Sequence, residues 1–286
     1  MTEKHSSSAW QRTRMIVLWL VIPLLLGILL SMLVPRPIVG LIYLDREIYP
    51  ETANNYVAQI TYARQHSEVR AVVLIVDSPG GTVVDTEAVY QELERLRQTK
   101  PVIASVESLA ASGAYYLIAG TDYIYAKPSS DVGNIGVVGL LPESPTVYEG
   151  VIASGPYKQW GASSDTVLRQ MDVLKQGFYQ VVKLGRGNAL RAGPEVLLRG
   201  QIWPGNEAQR MGLIDELGSR SQAIEKAAGM ARISHYQVAD MRVQAGLPPL
   251  PEPFFLFRTA EGAVTPRPND SSLYLLYVPP SDGRLP

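Results

Sequence analysis

The sequence predicts an α/β domain built on a parallel sheet and carried behind one N-terminal transmembrane helix. Three observations predict it. Residues 15–34 are almost unbroken apolar. Beyond residue 37, short apolar runs of strand length alternate with longer stretches whose apolar residues recur at helical spacing. One of those runs ends in a glycine-rich turn, Asp77-Ser78-Pro79-Gly80-Gly81, of the kind that joins a strand to a helix. With 286 residues, 46% of them hydrophobic, the chain can bury one sizeable core and still carry extensions.

Taken in order, residues 15–34 have the length needed to cross a hydrocarbon layer about 30 Å thick. Pro23 and Gly27 are tolerated inside such a helix. Lys4, Arg12 and Arg14 precede it, which places residues 1–14 in the cytoplasm and the remainder on the far side. A cleaved leader is the competing reading; the apolar stretch exceeds the usual leader core, and Pro35-Arg36-Pro37 is a poor cleavage site. The main domain then spans residues 37–245. Residues 38–43 read as a buried strand, and Ala53, Tyr56, Val57, Ile60 and Ala63 mark a helix face. Residues 71–76 form the next strand, followed after the glycine turn by Val84, Ala88, Val89, Leu93 and Leu96 on one helix. Residues 102–106 are a third strand, and residues 109–120, rich in small side chains, read as a closely packed helix. This βαβαβα order implies parallel strands with right-handed crossovers. A long amphipathic helix carries Val167, Leu168, Met171, Leu174, Phe178, Val181 and Val182 and stops before Gly185. Another helix lies between Pro204 and Gly212, and Ala223, Ala227 and Met230 mark the last. Residues 246–286 form a proline-rich extension that cannot be one regular helix.

Composition narrows the chemistry. Twenty-six basic against 27 acidic residues, with no basic run, argue against a nucleic-acid partner. With no cysteine there is no thiol nucleophile, thiolate metal site or disulfide. No metal-binding, phosphate-binding or dinucleotide motif occurs, so no cofactor and no metal are implied. His5, His66 and His235 are scattered and disfavour a serine-histidine-aspartate triad, leaving serine activated by lysine. Ser112 in Ala110-Ala111-Ser112-Gly113 has small neighbours that admit a substrate backbone, although a tight helix contact explains the same residue equally well. Gly80 and Gly81 free backbone N–H groups to face a ligand, as an oxyanion hole requires, or simply make a turn. Lys158 lies between Tyr157 and Trp160, whose rings would shield an ammonium and lower its pKa toward that of a general base; an ordinary solvated lysine is the alternative.

At these positions the chain resembles the signal peptide peptidase A (SppA) family, serine-lysine peptidases of the ClpP/crotonase-like fold with its repeated ββα-type units. The likeness runs from about Pro37 to about Arg232 and rests on Asp77-Ser78-Pro79-Gly80-Gly81, Ala110-Ala111-Ser112-Gly113, Ser154-Gly155-Pro156-Tyr157-Lys158 and Gly212-Leu213-Ile214-Asp215-Glu216-Leu217-Gly218. It implies Ser112 as nucleophile, Lys158 as general base, and the N–H groups of Gly81 and Gly113 as oxyanion donors. The late Gly212–Gly218 turn would be structural. One departure stands out: where the family carries Gly-Ser-Ile-Gly, this chain has Gly133-Asn134-Ile135-Gly136, so Asn134 replaces the lysine-orienting serine. Its side-chain oxygen can still accept from the lysine.

The expected function is that of a membrane-anchored serine endopeptidase acting on signal peptide remnants or other short apolar peptides through an acyl-enzyme. By the same resemblance it would be a homo-oligomer whose serine and lysine can come from adjacent subunits. A catalytically silent, membrane-anchored peptide-binding scaffold is the rival, kept open by Asn134. A crotonase-type thioester enzyme is a third reading, weakened by the lack of a basic nucleotide pocket. The extension beyond Gly246 either packs along a neighbouring subunit or occludes the site.

Overall fold

A computed structural model describes residues 6–33, 36–140, 152–155, 157–249 and three short strands of the tail, 256–258, 264–266 and 274–276. The chain divides into two compact units, residues 1–37 and 38–286.

In the first unit, α1 (Ser6–Ile16) and α2 (Ile22–Leu33) are joined by a π-helical turn, Val17–Val21. The Ile22 N–H bonds the carbonyl of Val17, five residues back. Pro23 explains the widened turn, because it brings no N–H to the carbonyl four residues before it. The window Arg12–Leu29 is long and apolar enough to cross a membrane.

The second unit opens with β1 (Ile38–Leu44), α3 (Pro50–Gln65), β2 (Val69–Ser78), the short β3 (Gly80–Thr82) and α4 (Val83–Arg97). Thr82 caps α4 by accepting the Asp85 N–H. Next come β4 (Val102–Ala111), α5 (Gly113–Ala119), β5 (Tyr123–Ala126) and β6 (Asp131–Gly133). They are followed by α6 (Tyr157–Trp160), α7 (Ser164–Arg186), α8 (Pro194–Leu197), β7 (Ile202–Pro204) and α9 (Gly205–Met211). β8 (Glu216–Leu217), α10 (Arg220–Met230), β9 (Gln237–Asp240) and α11 (Met241–Gln244) complete the domain. The tail contributes β10 (Leu256–Arg258), β11 (Val264–Pro266) and β12 (Tyr274–Leu276).

Eight strands make one sheet in the order β7-β6-β4-β2-β1-β9, with β5 pairing β4 and β8. Every pairing is parallel except β6 with β7. The continuous apolar run of β2 follows from burial on both faces. Val72, Leu74 and Val76 join the core under α3, α4, α5 and α7, while Ala71, Val73 and Ile75 join the core that Ala223, Ala227 and Ala228 of α10 close from the other side. A mixed α/β sheet behind one apolar N-terminal helix is therefore the architecture, as the residue pattern predicts.

Three elements differ from the expectation. The stretch 109–120 is not one helix: Leu109, Ala110 and Ala111 extend β4 and pair with Asp131, Val132 and Gly133 of β6, and the helix begins only at Gly113. Small residues suit a helix locally, but a strand partner twenty residues downstream overrides that preference. α7 continues through Gly185 and ends at Gly187, whose φ is +50°. Gly185 sits against α5, where a Cβ would lie 1.9 Å from the Ala119 carbonyl oxygen. The helix marked by Ala223, Ala227 and Met230 is α10, which ends at Met230 but is not the last, because α11 follows and buries Met241.

The Gly212–Gly218 turn is structural, and a buried cation explains it. Arg186, at the end of α7, donates to Gly212 O (2.9 Å) and forks onto both carboxylate oxygens of Asp215 (3.0 and 2.7 Å). Asp215 Oδ2 also accepts the Ile124 N–H of β5 at 2.8 Å. One guanidinium thus ties helix, turn and sheet.

Two outcomes follow for stability, both measurable by thermal or denaturant unfolding. Arg186→Ala strands the Asp215 carboxylate and lowers stability by about 3–5 kcal/mol; lysine, lacking the fork, restores only part of it. Gly185→Ala destabilises by about 1–3 kcal/mol through its clash with α5. Gly177→Ala on the same helix, where a Cβ meets nothing within 4 Å, stabilises by up to about 1 kcal/mol.

Candidate active site

All the candidate residues except Lys158 gather at the carboxyl ends of the central strands. Ser78 of β2 is level with Ala110 of β4, and Ala111 is level with Gly133 of β6. Four residues at these ends have positive φ: +97° at Gly80, +54° at Ser112, +122° at Gly133 and +55° at Asn134.

Ser112 is the sharpest of them. It sits between β4 and α5, is 1% exposed, and combines φ +54° with ψ −119°, a region that a residue with a Cβ occupies only when its surroundings force it there. Both of its peptide groups are held. The Ser112 N–H donates to Gly133 O, and the Tyr116 N–H donates to Ser112 O, each at 2.8 Å. Gly113 starts α5, so its N–H is one of the first-turn donors that an α-helix leaves without an intrahelical acceptor. No hydrogen bond from the Ser112 hydroxyl to another described residue is present.

The glycine turn is stapled in place. Ser78 Oγ donates to Arg46 O (2.6 Å) and accepts the Gly80 N–H (3.2 Å). Ile48 N–H donates to Gly80 O, and Thr82 N–H donates to Ile48 O, both at 2.8 Å. Ile48 thereby engages the residues on either side of Gly81, and strand alternation turns the N–H and C=O of Gly81 itself to the opposite edge. Only glycine fits there, since a Cβ would lie 1.8 Å from Ile48 O. Sequence reasoning assigned no role to Ile48. Nothing in its local pattern marks it, because it acts through its backbone alone.

Asn134 follows Gly133 at the end of β6. Its N–H donates to Gln201 O and its Nδ2 to Gly200 O, each at 2.7 Å. The amide group is thus spent on the chain leading into β7, which leaves Oδ1 as the end able to accept from a cation. The alternative in which Nδ2 faces the lysine is the one this geometry disfavours.

Lys158 is not brought to Ser112 within this chain. It lies on the four-residue α6 and is exposed; its N–H donates to Gly155 O (3.1 Å), and its side chain makes no hydrogen bond or ion pair with another described residue. The aromatic shielding expected around it is absent on the Tyr157 side, where the ring is 58% exposed. Pro156, just before it, lies outside the described residues. His66 ends α3, stacked on Tyr62, next to the start of β2; it is at the opposite end of the sheet from Ser112. No cluster of His, Asp or Glu suited to a metal occurs among the described residues.

Comparison with known proteins agrees with this geometry. Residues 94–234 match Peptidase family S49, and residues 37–132 match Clp protease. Protease 4 of Salmonella typhi is 31% identical over 194 residues, 63% of this chain and 31% of the relative. Protease 4 of Haemophilus influenzae is 34% identical over 179 residues, 58% and 29% of the two chains. The chloroplastic serine protease SPPA of Arabidopsis thaliana is 30% identical over 195 residues, 63% and 29% of the two chains. The chain spans less than a third of each of these relatives. The strained serine at a strand-to-helix junction thus lies in a stretch that is similar to Peptidase family S49 and the stapled glycine turn in one similar to Clp protease, both on a ClpP-like sheet, and the chain resembles the SppA-type proteases.

Proposed function

We propose that this protein is a membrane-anchored serine endopeptidase working through a Ser112–Lys158 dyad. The backbone of Ser112 carries the reading: a buried serine held at φ +54°, at the N-terminus of a helix and beside a glycine turn with an outward N–H, is the arrangement an acyl transfer needs. Neutral Lys158 Nζ takes the proton of Ser112 Oγ as the oxygen bonds to a peptide carbonyl carbon. The resulting oxyanion is held by the N–H groups of Gly81 and Gly113. The C–N bond then breaks, the leaving amine takes the proton from Lys158, and water hydrolyses the acyl-serine through the same base. Asn134 Oδ1 orients the lysine.

Because Lys158 stands exposed and apart from Ser112, the dyad is completed between copies of the chain. The same region exposes apolar side chains that suit such a contact: Val138, Leu140, Ile152, Leu168 and Val173. The N-terminal helix holds the domain at the outer face of the membrane, with residues 1–14 in the cytoplasm. Signal peptide remnants and other short apolar peptides released near the bilayer are the substrates. A silent peptide-binding scaffold is the second reading; the replacement of the family's serine by Asn134 and the separation of Lys158 from Ser112 in one chain are the observations that favour it.

Detergent-solubilised wild type is expected to react covalently with a fluorophosphonate. Ser112→Ala abolishes the labelling, and Lys158→Ala slows it by about 10²–10⁴-fold. A folded wild type that never labels establishes the scaffold instead. Mixing Ser112→Ala with Lys158→Ala subunits regenerates roughly a quarter of the peptidase activity, because random assembly pairs an intact serine with a neighbour's intact lysine at that frequency. A dyad confined to one chain regenerates none.

A further inference from the structure

The chain's own tail occupies the edge of the glycine turn. β12 pairs antiparallel with β3, setting Tyr274 opposite Thr82, Leu275 opposite Gly81 and Leu276 opposite Gly80. It also lies against α4 and α5, the helix that Ser112 begins. The ladder phase follows from the other edge of β3. Since Ile48 takes Gly80 O and Thr82 N–H, the Gly81 N–H and C=O both face β12, and Gly81 with Leu275 is the hydrogen-bonded pair. The N–H proposed as oxyanion donor is thus directed at the backbone of Leu275.

An extended peptide entering this site would use the same edge, adding itself to β3 as a strand. The tail segment 273–278, Leu-Tyr-Leu-Leu-Tyr-Val, has the apolar character assigned to such peptides. Arriving from Gly246, it is tethered to the site, and tethering gives a weak ligand an effective concentration in the millimolar range. We infer that the strand Tyr274–Leu276 is an internal competitive ligand of the peptide groove, which a substrate must displace from Gly80–Thr82 before it can reach Ser112. This rests on the role proposed for Gly81 and extends it to regulation of the same site. The register makes the contact sensitive to one substitution: Leu275→Pro removes the N–H that bonds Gly81 O and withdraws the strand.

Two measurements on the full chain test this, neither needing catalysis. The protein has no cysteine, so Thr82→Cys with Tyr274→Cys introduces a single pair at a non-hydrogen-bonded position, where Cα atoms lie about 4.5 Å apart and a disulfide can close. Mild oxidation is expected to give an intrachain disulfide; its failure to form, or a disulfide only between chains, overturns the inference. A fluorescein-labelled synthetic peptide with the sequence of residues 271–279 is expected to bind Leu275→Pro, and a variant lacking residues 271–286, about ten-fold or more tighter than wild type by anisotropy. Equal affinity for all three forms overturns it. Tighter binding by both variants, with no form hydrolysing peptides, upholds the tail's role and removes the peptidase reading instead.

Discussion

The hydrogen bond from Ser112 N–H to Gly133 O is the contact on which the site depends. It closes the last step of the ladder between β4 and β6, and with the Tyr116 bond to Ser112 O it leaves the serine backbone no relaxed alternative. A non-glycine residue in this region costs on the order of 1–3 kcal/mol, so the strain persists only because two strands and a helix determine it from both sides. Relaxation would move Gly113 and the start of α5, and with them one of the two proposed oxyanion donors.

That bond exists because β4 changes partner along its length. Ile103 to Val106 pair with β5, and Leu109 to Ala111 pair with β6. β6 must stand clear of β5 to take over the edge, and it turns antiparallel into β7, where Gln201 O receives the Asn134 N–H. The far side of the fold is fastened separately, by Arg186 locking α7 to the Gly212–Gly218 turn and, through Asp215, to β5. Two polar fasteners at different places let the apolar layers on the two sheet faces stay free of buried charge. Arg186 is the one buried charged side chain among the described residues, and it is fully engaged.

At the glycine turn, one edge of β3 is taken by Ile48 and the other by β12. A strand edge with unpaired N–H and C=O groups attracts any extended backbone within reach. A peptidase needs that edge to be available, and a chain carrying its own apolar extension supplies a competitor for it. Of the aromatic cluster in that extension, Phe254 and Phe255 lie outside the described residues.

Much of this was legible in the residues alone. The apolar runs of β1 and β2, the helix faces of α3, α4 and α7, and the junction at Asp77–Gly81 are local patterns whose period or turn chemistry has one good solution, and the motifs around Ser112 carry the likeness to the peptidase family. Pairing decisions between distant segments were not legible. The extension of β4 through Leu109–Ala111 needed β6, and the passage of α7 through Gly185 needed the close approach of Ala119. The backbone role of Ile48 needed Gly81, and the seat of Tyr274–Leu276 needed an open edge on β3. Local sequence determines which conformations a segment can adopt and which atoms it can offer. Which of them is realised depends on what fills the other side of a hydrogen bond or a packed face, and here those partners lie from about 20 to nearly 200 residues away, a separation at which no local propensity acts.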